Sequence, residues 1–320
     1  MFFKKYRENK KYEALISEGN SLRENGNLDG AIKKYEEAFQ YKIMSFDYIA
    51  LVFMEIDNRN YLKAIDMLNA LIQDHPDLPG IMDCYFALGL AYYGLNNLEE
   101  AIKNLELAIQ NGCKMEECFY IAANIYDELG LGVDSEETKK ALEYYNKALE
   151  INPNSLYSMV NIGTIYEHND VDDKALEYFY KTYQLDKDKK TNAAYNLGVT
   201  YTKLKKYDEA LKYYLEDAKH SEPAKPTFYN LGLLYQTEFH EYDNAKKYYL
   251  MSLERDKEDY NTWYNLGCLY SIIKDFKNAF DCFKIIKYKK PDFISGMAND
   301  NDLVEFRKTD YYKEILEGIK

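Results

Sequence analysis

Laid against itself, the chain repeats, and no other property narrows its fold as far. Residues 159–166 (MVNIGTIY), 194–201 (AYNLGVTY), 228–235 (FYNLGLLY) and 263–270 (WYNLGCLY) align without gaps, and their glycines Gly163, Gly198, Gly232 and Gly267 are 35, 34 and 35 residues apart. An alanine follows each glycine after twelve or thirteen residues (Ala175, Ala210, Ala245, Ala279), and four residues later comes an aromatic (Phe179, Tyr214, Tyr249, Phe283). A fixed period of this length is the mark of a stacked array in which each supersecondary unit buries its face only against its neighbours.

The frame extends towards the N-terminus. Gly89, Tyr92, Ala101 and Ala108 form one further repeat, and Gly19, Ala31, Tyr35 and Ala38 form the first. A weaker repeat lies around Val52, Ala64 and Pro76, and one stretched by six residues carries Ala123, Tyr126, Ala141, Tyr145, Ala148 and Pro153. Eight repeats result over residues 12–293, starting near 12, 45, 82, 116, 156, 191, 225 and 260. Residues 1–11 are expected to be an N-terminal tail and 294–320 a C-terminal capping segment.

Within a repeat, apolar residues recur at helical spacing, pause at a short polar turn such as Lys205-Lys206-Tyr207-Asp208, and resume. Each repeat therefore reads as two helices. A glycine inside a helix costs roughly 1 kcal/mol relative to alanine, so its recurrence points to close helix contact. The aromatic one turn beyond the alanine is expected to fill the remaining space. Few turn residues interrupt the sequence (15 Gly and 6 Pro in 320), which suits helices with short connections better than a β-sandwich. The 34 tyrosines suit a thin, heavily exposed architecture, where a ring covers apolar surface and its hydroxyl stays wet.

The order aromatic, Leu-Gly, Tyr, Ala, Tyr/Phe, Ala, Pro at a 34-residue period resembles the tetratricopeptide repeat (TPR) family, and it covers nearly the whole chain. The resemblance implies an all-α, right-handed superhelical solenoid of about eight repeats with a C-terminal capping helix. It also implies a protein that binds other proteins. Departures exist: the repeat around Val52 lacks the glycine and tyrosine, and Thr182 and Ile286 stand where the family prefers alanine. The stretched repeat, Leu129 to Ala141 followed by Tyr144-Tyr145 and Ala148, is similar to a Sel1-like repeat. At the C-terminus, Asp302 with Glu305 three residues on resembles a capping box.

Little in the sequence is suited to catalysis or to metals, and neither a cofactor nor an enzymatic activity is expected. His75, His168, His220 and His240 occupy no shared slot. Cys84, Cys113, Cys118, Cys268 and Cys282 are odd in number and irregularly spaced, which is no disulfide framework and fits reduced thiols in a cytoplasm. Gly130 and Gly132 lack the lysine and serine of a phosphate loop, and Asp300-Asn301-Asp302 lacks the glycine and glutamate of a calcium loop. A net charge of −13 disfavours a nucleic-acid partner. The Lys-rich opening has no apolar export core, and no run approaches 18 apolar residues, so no membrane span is expected.

One feature exceeds scaffold. Two residues before the helix glycine stands asparagine in four successive repeats: Asn161, Asn196, Asn230 and Asn265. Asparagine is a mediocre helix former, yet its amide offers the donor and acceptor that a peptide backbone needs. Stacking would align these amides along the first-helix, concave face, like the asparagine ladders of some superhelical TPR domains. Tyr195, Tyr229 and Tyr264 would add aromatic contact to an extended partner segment. The bland alternative is that the asparagines bond neighbouring helices. The equivalent slots earlier in the chain hold Ser17, Ala50, Ala87 and Ile121, which confines the ladder to the second half. The expected function is a non-catalytic adaptor binding a protein or peptide. The alternative is a self-associating scaffold subunit, a homo-oligomer.

Overall fold

The computed structural model describes residues 2–75, 80–130, 132 and 135–317, and among them every regular element is helical. Contacts divide the chain into two halves, Met1–Ser158 and Met159–Lys320. The N-terminal half contains α1 (Phe2–Glu24), α2 (Leu28–Phe39), α3 (Ser45–Asp57), α4 (Tyr61–Asp74), α5 (Ile81–Gly94), α6 (Leu98–Gln110), α7 (Glu116–Leu129) and α8 (Glu136–Ile151). In the C-terminal half follow α9 (Leu156–His168, which begins just before the division), α10 (Asp172–Leu185), α11 (Ala193–Lys203) and α12 (Tyr207–Asp217). Then come α13 (Thr227–Leu234), α14 (Tyr242–Arg255), α15 (Tyr260–Ile272), α16 (Phe276–Lys289) and α17 (Asp310–Leu316).

The helix pairs that carry the glycine close as its spacing demands. A Cβ at Gly163 would lie 2.6 Å from the Phe179 ring, and one at Gly198 or Gly267 would lie 2.6 Å from Tyr214 or Phe283. Tyr35 faces Gly19 in the same way, at 2.7 Å. The alanines of the second helices, Ala31, Ala64, Ala101, Ala141, Ala175, Ala210, Ala245 and Ala279, are fully buried. In the weak repeat Glu55 replaces the usual tyrosine. It is buried, paired with Lys63 at 2.6 Å, and accepts from Asn60 Nδ2 at 2.7 Å. A charge is thus compensated where a ring is missing.

In seven of the eight pairs the turn is equally regular. Gly26, Arg59, Asn96, Asp170, Lys205, His240 and Lys274 all have positive φ, between 54° and 77°, one per turn. This left-handed residue reverses the chain, and the second helix starts two residues on. Asn27, Asn97 and Asp275 accept from the backbone N–H three residues on, at 3.0, 3.3 and 3.3 Å, satisfying an orphan donor of the second helix. The one pair with thirteen rather than twelve residues between glycine and alanine, Gly232 and Ala245, takes up the extra residue in a π-helical turn, Tyr235–Phe239.

The tyrosines find a specific use. The last first-helix tyrosine stacks on an aromatic of the second helix: Tyr166 on Tyr178 (6.0 Å), Tyr201 on Tyr213 (5.6 Å), Tyr235 on Tyr248 (5.6 Å). Lys174, Lys212 and Lys247 place their ammonium groups 4.8–5.1 Å from rings of these stacks. In these three repeats the stacked rings join the two helices, with Tyr213 and Tyr235 buried.

Several expectations need correction. Residues 2–11 belong to α1 rather than to a tail, because Lys, Glu and Arg favour helix and no glycine or proline interrupts them before Gly19. The C-terminal cap is not one helix but three 3₁₀ turns (Pro291–Ala298, Asn301–Leu303, Phe306–Lys308) followed by the short α17. The Asp302–Glu305 capping box does not form: Asp300 Oδ1 accepts from Asp302 N–H at 2.9 Å, and Thr309 caps α17 instead. Short Asp and Asn side chains here bond their own backbone and hold the chain in turns. The segment nevertheless covers the last repeat, with Ile294, Met297, Leu303, Phe306 and Ile315 buried against Phe280, Phe283 and Ile286. Pro76, and Leu131, Val133 and Asp134 of the stretched loop, lie outside the described residues.

Candidate partner-binding face

The four ladder asparagines sit one per first helix, on α9, α11, α13 and α15, and all four are half-buried. Tyr195, Tyr229 and Tyr264, also half-buried, precede the last three. Each tyrosine ring packs on the second-helix aromatic of its own repeat: Tyr195 on Tyr214 (6.0 Å), Tyr229 on Tyr249 (6.3 Å), Tyr264 on Phe283 (5.7 Å). Its hydroxyl reaches the next repeat. Asn265 Nδ2 donates to the Tyr229 hydroxyl at 2.9 Å, and Asn230 Nδ2 donates to Tyr214 at 3.4 Å and also serves Tyr195.

Asn230 and Asn265 are therefore joined to the tyrosines beside which they were expected to face a ligand separately. Burial raises the Tyr195 and Tyr229 phenols above their ordinary value, and the donated amide N–H partly offsets this. Both stay protonated at neutral pH. An amide carries two N–H groups and an acceptor oxygen, so Asn265 keeps one N–H and its oxygen, and Asn230, which serves two tyrosines, keeps its oxygen, for another partner.

Tyr264 has no following asparagine. It donates to Asp300 Oδ2 at 2.7 Å, and burial with this carboxylate pushes its phenol far upward. Asp300 thus ends the row that the asparagines build. The sequence held a signal for this, since Asn161, Asn196, Asn230, Asn265 and Asp300 follow one another at 35, 34, 35 and 35 residues.

Two hollows adjoin the row. One of about 240 Å³ lies among Thr202, Tyr214, Asn230, Leu233 and Leu234; the other, about 540 Å³, among Lys225, Tyr229, Asn230, Asp259 and Phe293. A further hollow of about 560 Å³, beside Tyr180, Lys187 and His220, contains none of the ladder residues. The histidines remain scattered: His75 ends α4, His168 ends α9, His220 follows α12, and His240 takes the left-handed turn position. All five cysteines are buried and free, and burial pushes Cys84 to about 11 and Cys282 to about 12. No described helix is long and apolar enough to cross a membrane.

Residues 60–166 match the family model described as Tetratricopeptide Repeats-Sensor, and residues 191–216 and 260–284 match the Tetratricopeptide repeat model. The chain belongs to the tetratricopeptide-repeat family. A TPR repeat-containing protein of Methanocaldococcus jannaschii is 27% identical over 179 residues, 55% of this chain and 30% of that relative. The chain thus spans less than a third of that relative's length. Solved TPR structures share the fold. The C-terminal part of a TPR repeat-containing protein from Cytophaga hutchinsonii has a TM-score of 0.62 at 17% identity, covering 82% of this chain and 100% of that one. A TPR protein from Parabacteroides merdae gives 0.54 at 15% identity, covering 80% and 98%. The TPR fold is one of protein–protein interaction, and the family is generally non-catalytic.

Proposed function

We propose that this TPR protein is a non-catalytic, cytoplasmic adaptor that holds an extended segment of a partner protein along the first-helix face of its C-terminal half. The observation that carries the reading is the row Asn196, Asn230, Asn265, set one repeat apart, with Asn230 and Asn265 oriented by tyrosine hydroxyls. A side chain held in one geometry before binding loses less freedom on binding. Amides spaced one repeat apart suit a backbone read at intervals. The tyrosines then act through the asparagines as well as by ring contact.

The test is affinity capture from native lysate with the wild type beside an Asn196→Ala, Asn230→Ala, Asn265→Ala variant of unchanged helicity. A partner retained by the wild type and lost by the variant supports the reading; equal retention by both overturns it. A Tyr229→Phe variant should weaken capture without abolishing it, since it frees Asn265 to rotate.

A second reading, self-association, draws on the exposed apolar side chains of Ile43 and Met44, just before α3, and Phe46, in its first turn, of which Phe46 is 81% exposed. It expects a mass that rises with concentration in light scattering and falls back to monomer in Phe46→Lys. A constant monomer mass removes it.

A further inference from the structure

Where the C-terminal segment folds over α15, three donor groups of mixed chemistry converge. Cys268 is only 2% exposed, and its Sγ lies 3.7 Å from Asp300 Oδ2. The sulfur and the carboxylate oxygens of Asp300 and Asp302 all lie within 4.8 Å of one another. Around them the Tyr264 hydroxyl donates to Asp300 at 2.7 Å, and Gln236 Nε2 reaches Asp302 at 3.3 Å.

The position of the two carboxylates is fixed through main-chain atoms. Ser271 Oγ donates to the Asp302 carbonyl at 2.7 Å, and Arg307 Nη1 donates to the carbonyls of Met297 and Asp300 at 3.0 and 2.6 Å. Arg307, the cation that braces this turn, therefore spends its charge on carbonyls. Among the described residues no salt bridge pairs either carboxylate, although two acids and a thiol face one another. The buried thiol is aimed into this cluster, and its side-chain partners, Asp300 and Tyr264, both belong to it. Acids gathered this closely without a cation repel each other, and a divalent ion relieves that repulsion.

We infer that Cys268, Asp300 and Asp302 form a zinc site that clasps the C-terminal segment onto the last repeat. Zinc takes thiolate at about 2.3 Å and carboxylate oxygen at about 2.0–2.2 Å in tetrahedral array, which sets its donors roughly 3.5 Å apart. The sulfur already stands 3.7 Å from Asp300 Oδ2, and no separation in the set exceeds 4.8 Å. The buried sulfur favours zinc over calcium or magnesium, which take oxygen donors. On binding, the Cys268 thiol gives its proton to solvent as the S–Zn bond forms, so affinity rises with pH. The fourth position falls to water or the Tyr264 hydroxyl. The inference is independent of the ladder reading, because it requires no partner protein.

The full chain titrated with Cd²⁺ should develop the sulfur-to-cadmium charge-transfer band with a break at one equivalent, and Zn²⁺ should displace it. Cys268→Ser should lose the band, and Asp302→Asn should bind Cd²⁺ at least tenfold more weakly. Zn²⁺ should raise the melting temperature of the wild type and leave that of Cys268→Ser unmoved. A wild type without the band, or a band that persists in Cys268→Ser, overturns the site, the latter by placing the metal on other thiols. Should Cys268→Ser fail to fold, Asp302→Asn decides, since Asp302 is exposed and its removal spares the core; undiminished Cd²⁺ affinity there overturns the site equally.

Discussion

Gly232→Ala isolates the contact on which the whole array depends. Alanine in place of glycine within a helix ordinarily stabilises by about 1 kcal/mol. Here the added Cβ would stand 2.5 Å from Tyr249 Cδ1 and 2.6 Å from Cε1, about 0.9 Å inside ordinary contact. The ring has little room to retreat. Tyr249 is fully buried, its hydroxyl donates to Gln236 Oε1 at 3.0 Å, and its other flank meets Tyr229. Overpacking of this kind costs about 1–3 kcal/mol, and a pinned ring places it near the top, so the net loss is about 2 kcal/mol. The single tryptophan, Trp263, packs against the same cluster, so urea unfolding followed by its fluorescence reads the effect directly. The decisive comparison is the background. Tyr249→Ala removes the ring at a cost of about 3–5 kcal/mol, and in that variant Gly232→Ala should reverse sign and restore about 1 kcal/mol. A coupling of about 3 kcal/mol follows. If Gly232→Ala destabilises equally with and without the Tyr249 ring, close helix approach is not why glycine recurs.

Other consequences are equally direct. Burial raises Cys84 to about 11, Cys282 to about 12, and Tyr144, Tyr213 and Tyr214 to about 12, all above their ordinary values of 9.0 and 10.0. The unfolded chain therefore loses these protons first, so stability is complete below about pH 9 and falls as pH rises through 9–12; circular-dichroism melts across that range check it, and flat stability to pH 11 refutes it. At pH 8 the thiolate fraction of Cys84 is roughly one in a thousand, so Ellman's reagent should label no cysteine rapidly until urea exposes all five. Lys205→Gly at φ 58° should stabilise by about 0.5–1 kcal/mol in urea titration. Asn96→Gly, at the same φ, should gain less because asparagine tolerates that conformation; equal gains would count against the strain. Tyr12, buried and hydrogen-bonded to Asp47 of α3, fastens α1, so Tyr12→Ala should speed proteolysis within residues 6–24 while leaving α5–α8 protected.

The fold was legible because its cause is local and recurs. A glycine, an alanine and an aromatic at set intervals state a helix-to-helix contact eight times with variations; the extra residue of the thirteen-residue interval before Ala245 is absorbed by the π-turn, which was not expected from the sequence. Failures came where a structure had no repeat to announce it. Residues 2–11 were expected to be a tail because they carry no pattern, yet helix formation needs only propensity and a continuous partner turn. The tyrosine stacks went unseen as well, since Tyr201 and Tyr213 are joined by packing across a turn, and their separation alone favours no particular pairing.

The ladder shows the sharper limit. Its residues were found by spacing, but spacing identifies a slot and leaves open what the side chain bonds. In the structure Asn265 spends one N–H on a tyrosine of the preceding repeat and Asn230 serves two tyrosines, and each keeps its amide oxygen. Asp300 sharpens the point. It stands one period beyond Asn265 and receives the Tyr264 hydroxyl as an asparagine slot should, although its backbone lies in a turn rather than a helix. A carboxylate can only accept there, whereas an amide both donates and accepts. The row therefore changes chemistry at its end, from neutral amides suited to a backbone to an anion beside a buried thiol. A partner segment read by the amides and a cation held by Cys268, Asp300 and Asp302 would share Tyr264 as their boundary, so the two are separable by substitution: Asn230→Ala should leave cadmium binding intact, and Asp302→Asn should leave partner capture intact.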